Sequence, residues 1–222
     1  MSKLKIKMNV PNILTMARIF CTPLIVLMFL LPISNGVGVY VALGIYVLGC
    51  LTDLLDGKIA RKYNLITDFG KFMDQIADKF ITTTAMILVL FAGATAGWIA
   101  DWLAILMLLV VVLRDILISG IRMVAANKNF VIPADIFGKV KSFFLDISNV
   151  VLLLYIALRA SVDAKFVDYV QYIGLAIMIV GVVLSIVSCV NYTVKAIKVL
   201  SSQTEEKKED DEEADETVED EE

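Results

Sequence analysis

The 222-residue sequence contains no histidine. That absence removes the side chain most often used as a general base near neutral pH, and with it every histidine-based metal site. Cys21, Cys50 and Cys189 are the only cysteines; all lie in apolar runs without paired spacing, which excludes a disulfide framework and a thiolate zinc site. They read as packing residues. No glycine-rich linker and no internal repeat divides the chain, so one domain is expected ahead of its final stretch. The first apolar run follows a basic start but is long and has no small-x-small pattern at its end, so it reads as a retained helix rather than a cleaved leader.

What is present is apolar. Hydrophobic residues make up 59% of the chain and mean hydropathy is +0.79, which places it among integral membrane proteins. Apolar runs at 14–31, 37–50, 80–91, 98–113, 143–158 and 167–190 predict an all-α bundle of six transmembrane helices, each needing roughly 20 residues to span. The second and third runs reach that length only by taking in Asp53 and Asp56 at one end and Asp74 and Asp78 at the other. Lys and Arg at the run ends set orientation. Lys3, Lys5 and Lys7 precede the first run; Lys58, Arg61, Lys62 and Lys71 separate the second from the third; Arg122, Lys128, Lys139 and Lys141 separate the fourth from the fifth; Lys195 and Lys198 follow the last. The alternate connections carry none at 32–36 and 93–97, and two at 159–165. Both termini are therefore expected on the cytoplasmic side of the cell membrane, with Trp98 and Trp102 as anchors at the outer interface.

The net charge of −4 hides two populations. Residues 205–222 hold 13 acidic residues against Lys207 and Lys208, leaving 11 acidic and 18 basic residues elsewhere, a body of about +7. A basic cytoplasmic face suits anionic lipid or a phosphorylated ligand. The chain is thus expected to divide into a membrane domain, 1–202, and an acidic tail, 203–222, disordered by self-repulsion and lack of apolar content.

The stretch DLLDGKIARKYNLITDFGKFMDQIAD, residues 53–78, puts four aspartates beside apolar runs. At helical spacing Asp53, Asp56, Gly57 and Ala60 share one face, and Gly70, Asp74 and Asp78 share another. Each aspartate costs about 2.5–3.5 kcal/mol at mid-bilayer, so four unpaired ones approach the stability of a whole domain, roughly 10 kcal/mol. Three readings meet that cost: a solvated helix-end cluster, a cation or proton pathway, and a divalent metal site. The first leaves the repetition on two faces unexplained, and the second finds few other acids in the spans beyond Asp115 and Asp146. Clustered hard oxygen donors with no histidine or thiolate favour Mg²⁺ or Mn²⁺, and two such ions suit a diphosphate. Gly57 and Ala60 leave room for a bulky anion, and Arg61 can fork onto phosphate oxygens.

The pattern Asp53-x₂-Asp56-Gly57-x₂-Ala60-Arg61-x₈-Gly70-x₃-Asp74-x₃-Asp78 resembles the signature of the CDP-alcohol phosphatidyltransferase family at every fixed position. The resemblance implies a six-helix membrane fold, usually a homodimer, whose polar active-site cavity opens to the cytoplasm and whose aspartates hold two metal ions. It implies that Asp53, Asp56 and Asp74 are metal ligands and that Asp78 touches metal and acts as general base. It also implies that Gly57, Arg61 and Thr67 hold the CDP-linked substrate, CDP-diacylglycerol. The segment NVPNILTMAR resembles the family's entry to its first helix, adding Asn12, Thr15 and Arg18 as nucleotide-side candidates. With no histidine in the chain, a carboxylate is the base at hand.

Arg114 and Arg122 lie eight apart, close to one helical face, with Lys139 and Lys141 after the next connection. Four cations suggest an acceptor that carries its own phosphate. Arg114 is embedded in an apolar run and needs a partner, for which Asp115, about 100° round the helix, is imperfect. RDILISGIRMVAA and GKVKSFFLD resemble stretches of the family's bacterial phosphatidylglycerophosphate synthases, from which Asp115 and Ser142 depart conservatively. That branch implies transfer of a phosphatidyl group to sn-glycerol 3-phosphate. Phosphatidylglycerol as acceptor, giving cardiolipin, is the alternative within the family, and a divalent-cation transporter is the alternative of another class.

Overall fold

A computed structural model describes the backbone of residues 10–33, 36–62, 68–127, 136–162 and 165–219. Side chains are described for 13–33, 36–53, 70, 72–123, 125, 136–162 and 165–197. The described residues form six helices and no strand: α1 Val10–Leu30, α2 Val37–Lys62, α3 Asp68–Thr95, α4 Asp101–Asn127, α5 Ile136–Ser161 and α6 Phe166–Glu219. Five of them contain stretches long and apolar enough to cross a membrane: Ile13–Leu30, Phe72–Thr95, Asp101–Met123, Ile136–Ser161 and Phe166–Ile197. The protein is a multi-pass membrane protein. In α2 the described side chains end at Asp53, and over them the helix is apolar from Val37 to Asp53. Helix α3 reaches spanning length with Asp74 and Asp78 inside its apolar stretch, and α2 runs on past Asp53 and Asp56 to Lys62. Helix α6 continues to Glu219, through the stretch for which the sequence predicts disorder.

The chain forms two compact units, Met1–Leu108 with Ser142–Gly181, and Leu109–Lys141 with Val182–Glu222. In the first, α1 packs on both α2 and α3, and α2 meets α3. Lipid is as apolar as leucine, so helices in it associate through close packing and internal polar contacts rather than by expelling water. The buried positions follow that rule. Ala42, Ala77, Ala85 and Ala157 let backbones approach; Thr15, Arg18, Thr22, Ser148 and Asn149 are buried polar groups. Large apolar residues such as Leu48, Leu51, Phe80 and Ile105 are exposed, as a lipid-facing surface requires. In the second unit, Ile118, Ala125, Tyr192 and Ala196 form the core, with Ile121 packed against them.

Two turns are set by glycine. Helix α3 ends with Trp98 N–H donating to Gly93 C=O and Gly97 N–H to Ala94 C=O, both at 3.1 Å, with Gly97 at φ 75°. That pairing closes the orphan carbonyls of the helix end and demands a left-handed residue. Gly36, at φ 70° ahead of α2, is additionally pressed against Ala160, whose Cβ would stand 2.6 Å from any Cβ added there. Trp98 is half-buried, edge-on to Tyr155 at 5.6 Å, while Trp102 is exposed.

Candidate active site

The first unit brings α1, α2 and α3 together around Arg18. Its Nη1 donates to Asp53 Oδ1 at 2.7 Å and to Asp74 Oδ1 at 3.4 Å. The Arg18 side chain is fully buried, whereas those of Asp53 and Asp74 keep 35% and 45% of their surface. The carboxylates therefore lean on a buried cation while presenting open faces. Gly49, one turn before Asp53, makes this junction: a Cβ there would collide with Ile81 Cδ1 and touch Arg18 Cγ. Asp78, one turn beyond Asp74, is 38% exposed, with its Oδ2 3.3 Å from Lys79 Nζ. Thr15 is buried one turn before Arg18. Among the described residues no group of three His, Cys, Asp or Glu side chains is gathered closely enough to hold a metal ion.

Further into the same unit, Asp146 of α5 accepts hydrogen bonds on a single oxygen, Oδ1, from Tyr46 Oη at 3.0 Å and Thr82 Oγ1 at 2.9 Å. Asn149 Nδ2 donates to Tyr46 Oη at 3.3 Å and to the Thr82 carbonyl at 3.2 Å. This cluster was not legible from the sequence, where Asp146 stood only as one of two further acids in the spans.

The second unit gathers part of the basic set. Asp115 Oδ1 accepts from Arg114 Nη1 at 2.8 Å and from Lys141 Nζ at 2.7 Å. Arg114 Nη2 also donates to Ser188 Oγ at 2.5 Å, beside Gly138, where a Cβ would come within 2.8 Å of that nitrogen. Asp115 is thus a better partner than its 100° offset suggests, because the long arginine side chain covers the angle. Arg114 and Lys141 converge; Arg122 does not join them. Its Nε meets Tyr192 Oη at 3.3 Å, with the guanidinium 5.5 Å from that ring's centroid. Lys139 is exposed. Ser188, on the last helix, is a member that sequence reasoning missed, since one serine in an apolar helix carries no signal.

A sequence model described as CDP-alcohol phosphatidyltransferase matches residues 8–187, which take in both the aspartates and the basic segments. The chain belongs to the CDP-alcohol phosphatidyltransferase family. Among similar proteins, a CDP-diacylglycerol–glycerol-3-phosphate 3-phosphatidyltransferase of Bacillus subtilis is 29% identical over 183 residues, 78% of this chain and 91% of that protein. Proteins of the same name from Rickettsia bellii and Shigella flexneri serotype 5b are 32% and 31% identical, over 85% and 83% of this chain and 96% and 92% of theirs. Such coverage makes the likeness one of whole proteins rather than of a shared motif.

Of the residues that match the family's signature, Asp53, Gly70, Asp74 and Asp78 have described side chains or positions, and Arg18 draws Asp53 and Asp74 together. Asp56, Gly57, Ala60 and Arg61 fall within α2, and Asn12 within α1, but their side chains lie outside the described residues, as Thr67 does entirely.

Proposed function

We propose that this chain transfers the phosphatidyl group of CDP-diacylglycerol to sn-glycerol 3-phosphate, giving phosphatidylglycerophosphate and CMP. The observation that carries the reading is the pairing of Asp53 and Asp74 on Arg18 inside the family's motif, in a chain that matches glycerol-3-phosphate phosphatidyltransferases along most of their length. The donor set also fits a hard divalent cation: two carboxylates already turned onto one positive group, partly open, with no nitrogen or sulfur ligand in the motif. Held by Asp53, Asp56, Asp74 and Asp78, two Mg²⁺ or Mn²⁺ ions would offset the charge that gathers on the departing CMP.

The chain's own groups do the rest. Gly57, Arg61, Thr67, Asn12 and Thr15 bind CDP-diacylglycerol, Arg61 by a forked contact to phosphate. Asp78 takes the acceptor hydroxyl's proton as that oxygen bonds to the phosphatidyl phosphorus; the bond from phosphorus to the CMP oxygen breaks, and CMP leaves with the electron pair. Arg114 and Lys141, which converge on Asp115, bind the acceptor's phosphate, and Arg122 and Lys139, set apart from them, add positive charge to the same basic segment. Arg114 Nε is buried without a hydrogen-bond partner among the described residues, a donor that a phosphate oxygen would satisfy. The membrane domain, 1–202, crosses the cytoplasmic membrane six times, with both termini and a polar cavity on the cytoplasmic side, and works as a homodimer; 203–222 is an acidic tail outside it.

The test is CMP release by the purified protein in detergent with CDP-diacylglycerol and Mg²⁺, offering glycerol 3-phosphate, phosphatidylglycerol, serine or inositol phosphate. Release with glycerol 3-phosphate alone, abolished by a chelator and by Asp78→Asn, is the expected result. Release with phosphatidylglycerol instead would make the chain a cardiolipin synthase, and ion flux without CMP release would make it a transporter.

A further inference from the structure

Asp146 lies within the spanning stretch of α5, where a carboxylate is retained only if it is well bonded or useful. Its two donors belong to the two helices that carry the aspartate motif. Thr82 follows Asp78 by four residues and so shares its face of α3 one turn on; Tyr46 precedes Asp53 by seven and lies on the same side of α2 two turns back. Asn149, one turn beyond Asp146, repeats the grip by donating to Tyr46 and to the Thr82 carbonyl. Tyr46 and Asn149 are wholly buried, so water does not compete for these bonds. Asp78 and Lys79 are close enough to act on Asp146 electrostatically.

We infer that Asp146 is a positioning residue for the aspartate motif: through Tyr46 and Thr82 it fixes the register of α2 against α3, and thereby the spacing of Asp53 from Asp74 and Asp78. The inference rests on the proposed transferase reading, since it is the metal and the reacting hydroxyl that need those carboxylates at fixed separation. A metal site held by side chains from two helices loses affinity when the groups behind its ligands are loosened, and a displacement of an ångström in a reacting group slows turnover steeply.

The experiment compares Asp146→Asn, Asp146→Ala and the double variant Tyr46→Phe/Thr82→Val as full chains in detergent. It reads kcat and KM for CDP-diacylglycerol, Mn²⁺ binding by loss of the free-ion paramagnetic resonance signal, and the thermal midpoint. Met178→Ala, at a buried apolar position of the same unit on α6, is the control for plain destabilisation. Asp146→Ala and the double variant are expected to lose about a hundredfold in kcat with KM within about threefold. They are expected to bind Mn²⁺ about tenfold more weakly. Asp146→Asn keeps an oxygen that accepts from both hydroxyls and should restore both readouts to within about threefold of wild type. Met178→Ala should lower the midpoint and leave kcat alone. Wild-type kcat and Mn²⁺ affinity in Asp146→Ala would overturn the inference. So would an Asp146→Asn as impaired as Asp146→Ala, which would assign the role to the carboxylate's charge rather than its bonding. If the wild type releases no CMP with any acceptor, the transferase reading falls, and Mn²⁺ affinity unchanged across the variants overturns the positioning role independently.

Discussion

Arg18 carries a buried charge into the first membrane helix and meets two carboxylates there, from α2 and α3. Resemblance to the family made it a nucleotide-side candidate; its burial makes it first of all the group that holds Asp53 and Asp74 together. Neither partner was legible, because they lie 35 and 56 residues further along and helix rotation decides which side chains meet. Arg18→Gln is expected to destabilise by about 1–3 kcal/mol, below the full cost of breaking a buried pair because both carboxylates are partly solvated. Two opposed carboxylates are relieved by a bound cation, so the fall in thermal midpoint should be larger in chelator than in Mg²⁺, and unfolding in the two buffers checks it. Arg18→Lys should recover only part, since an ammonium lacks the planar fork. At this scale the motif residues were readable, because their spacing is local, and the groups that orient them were not.

Among the elements, α2 and α3 carry the aspartate motif between them. The whole of α2 is 26 residues and rises about 39 Å, more than the roughly 30 Å of a hydrocarbon core, with Asp53 and Asp56 inside its length. Helix α3 carries its aspartates within a stretch that is long enough. In both, the apolar run alone is short and the flanking charged residues complete the length, which is why the sequence left both uncertain. Gly49 sets how closely α2 approaches its neighbours. Gly49→Leu would drive a side chain into Ile81, which is itself 2% exposed, and should cost about 1–3 kcal/mol. Gly44, with open space around it on the same helix, gives the contrast: Gly44→Ala should gain about 0.5–1 kcal/mol from helix propensity. Thermal midpoints of the two variants should therefore move in opposite directions, and CMP release should fall for Gly49→Leu alone.

For the whole molecule, charge was the most legible property: a basic body and an acidic end can be counted without knowing any contact. Their separation predicts that truncation after Ser202 leaves turnover at 0.5 M salt within about twofold of the full chain, while at low salt the truncated protein binds anionic vesicles more tightly. Vesicle co-sedimentation and CMP release at the two salt concentrations test this. The three-helix junction also bears on how the chain is made. Ribosomes add roughly 5–20 residues per second, so Asp74 emerges about 3–11 s after Arg18, from which it is separated by 56 residues. For the first part of that interval, about 2–7 s until Asp53 follows 35 residues behind Arg18, α1 carries the guanidinium with neither carboxylate yet made. An arginine at mid-membrane costs about 2.5–3.5 kcal/mol on the insertion scale, so the new first helix is best served by keeping Arg18 near the water interface, and that cost is relieved in two steps, by Asp53 on α2 and then by Asp74 on α3.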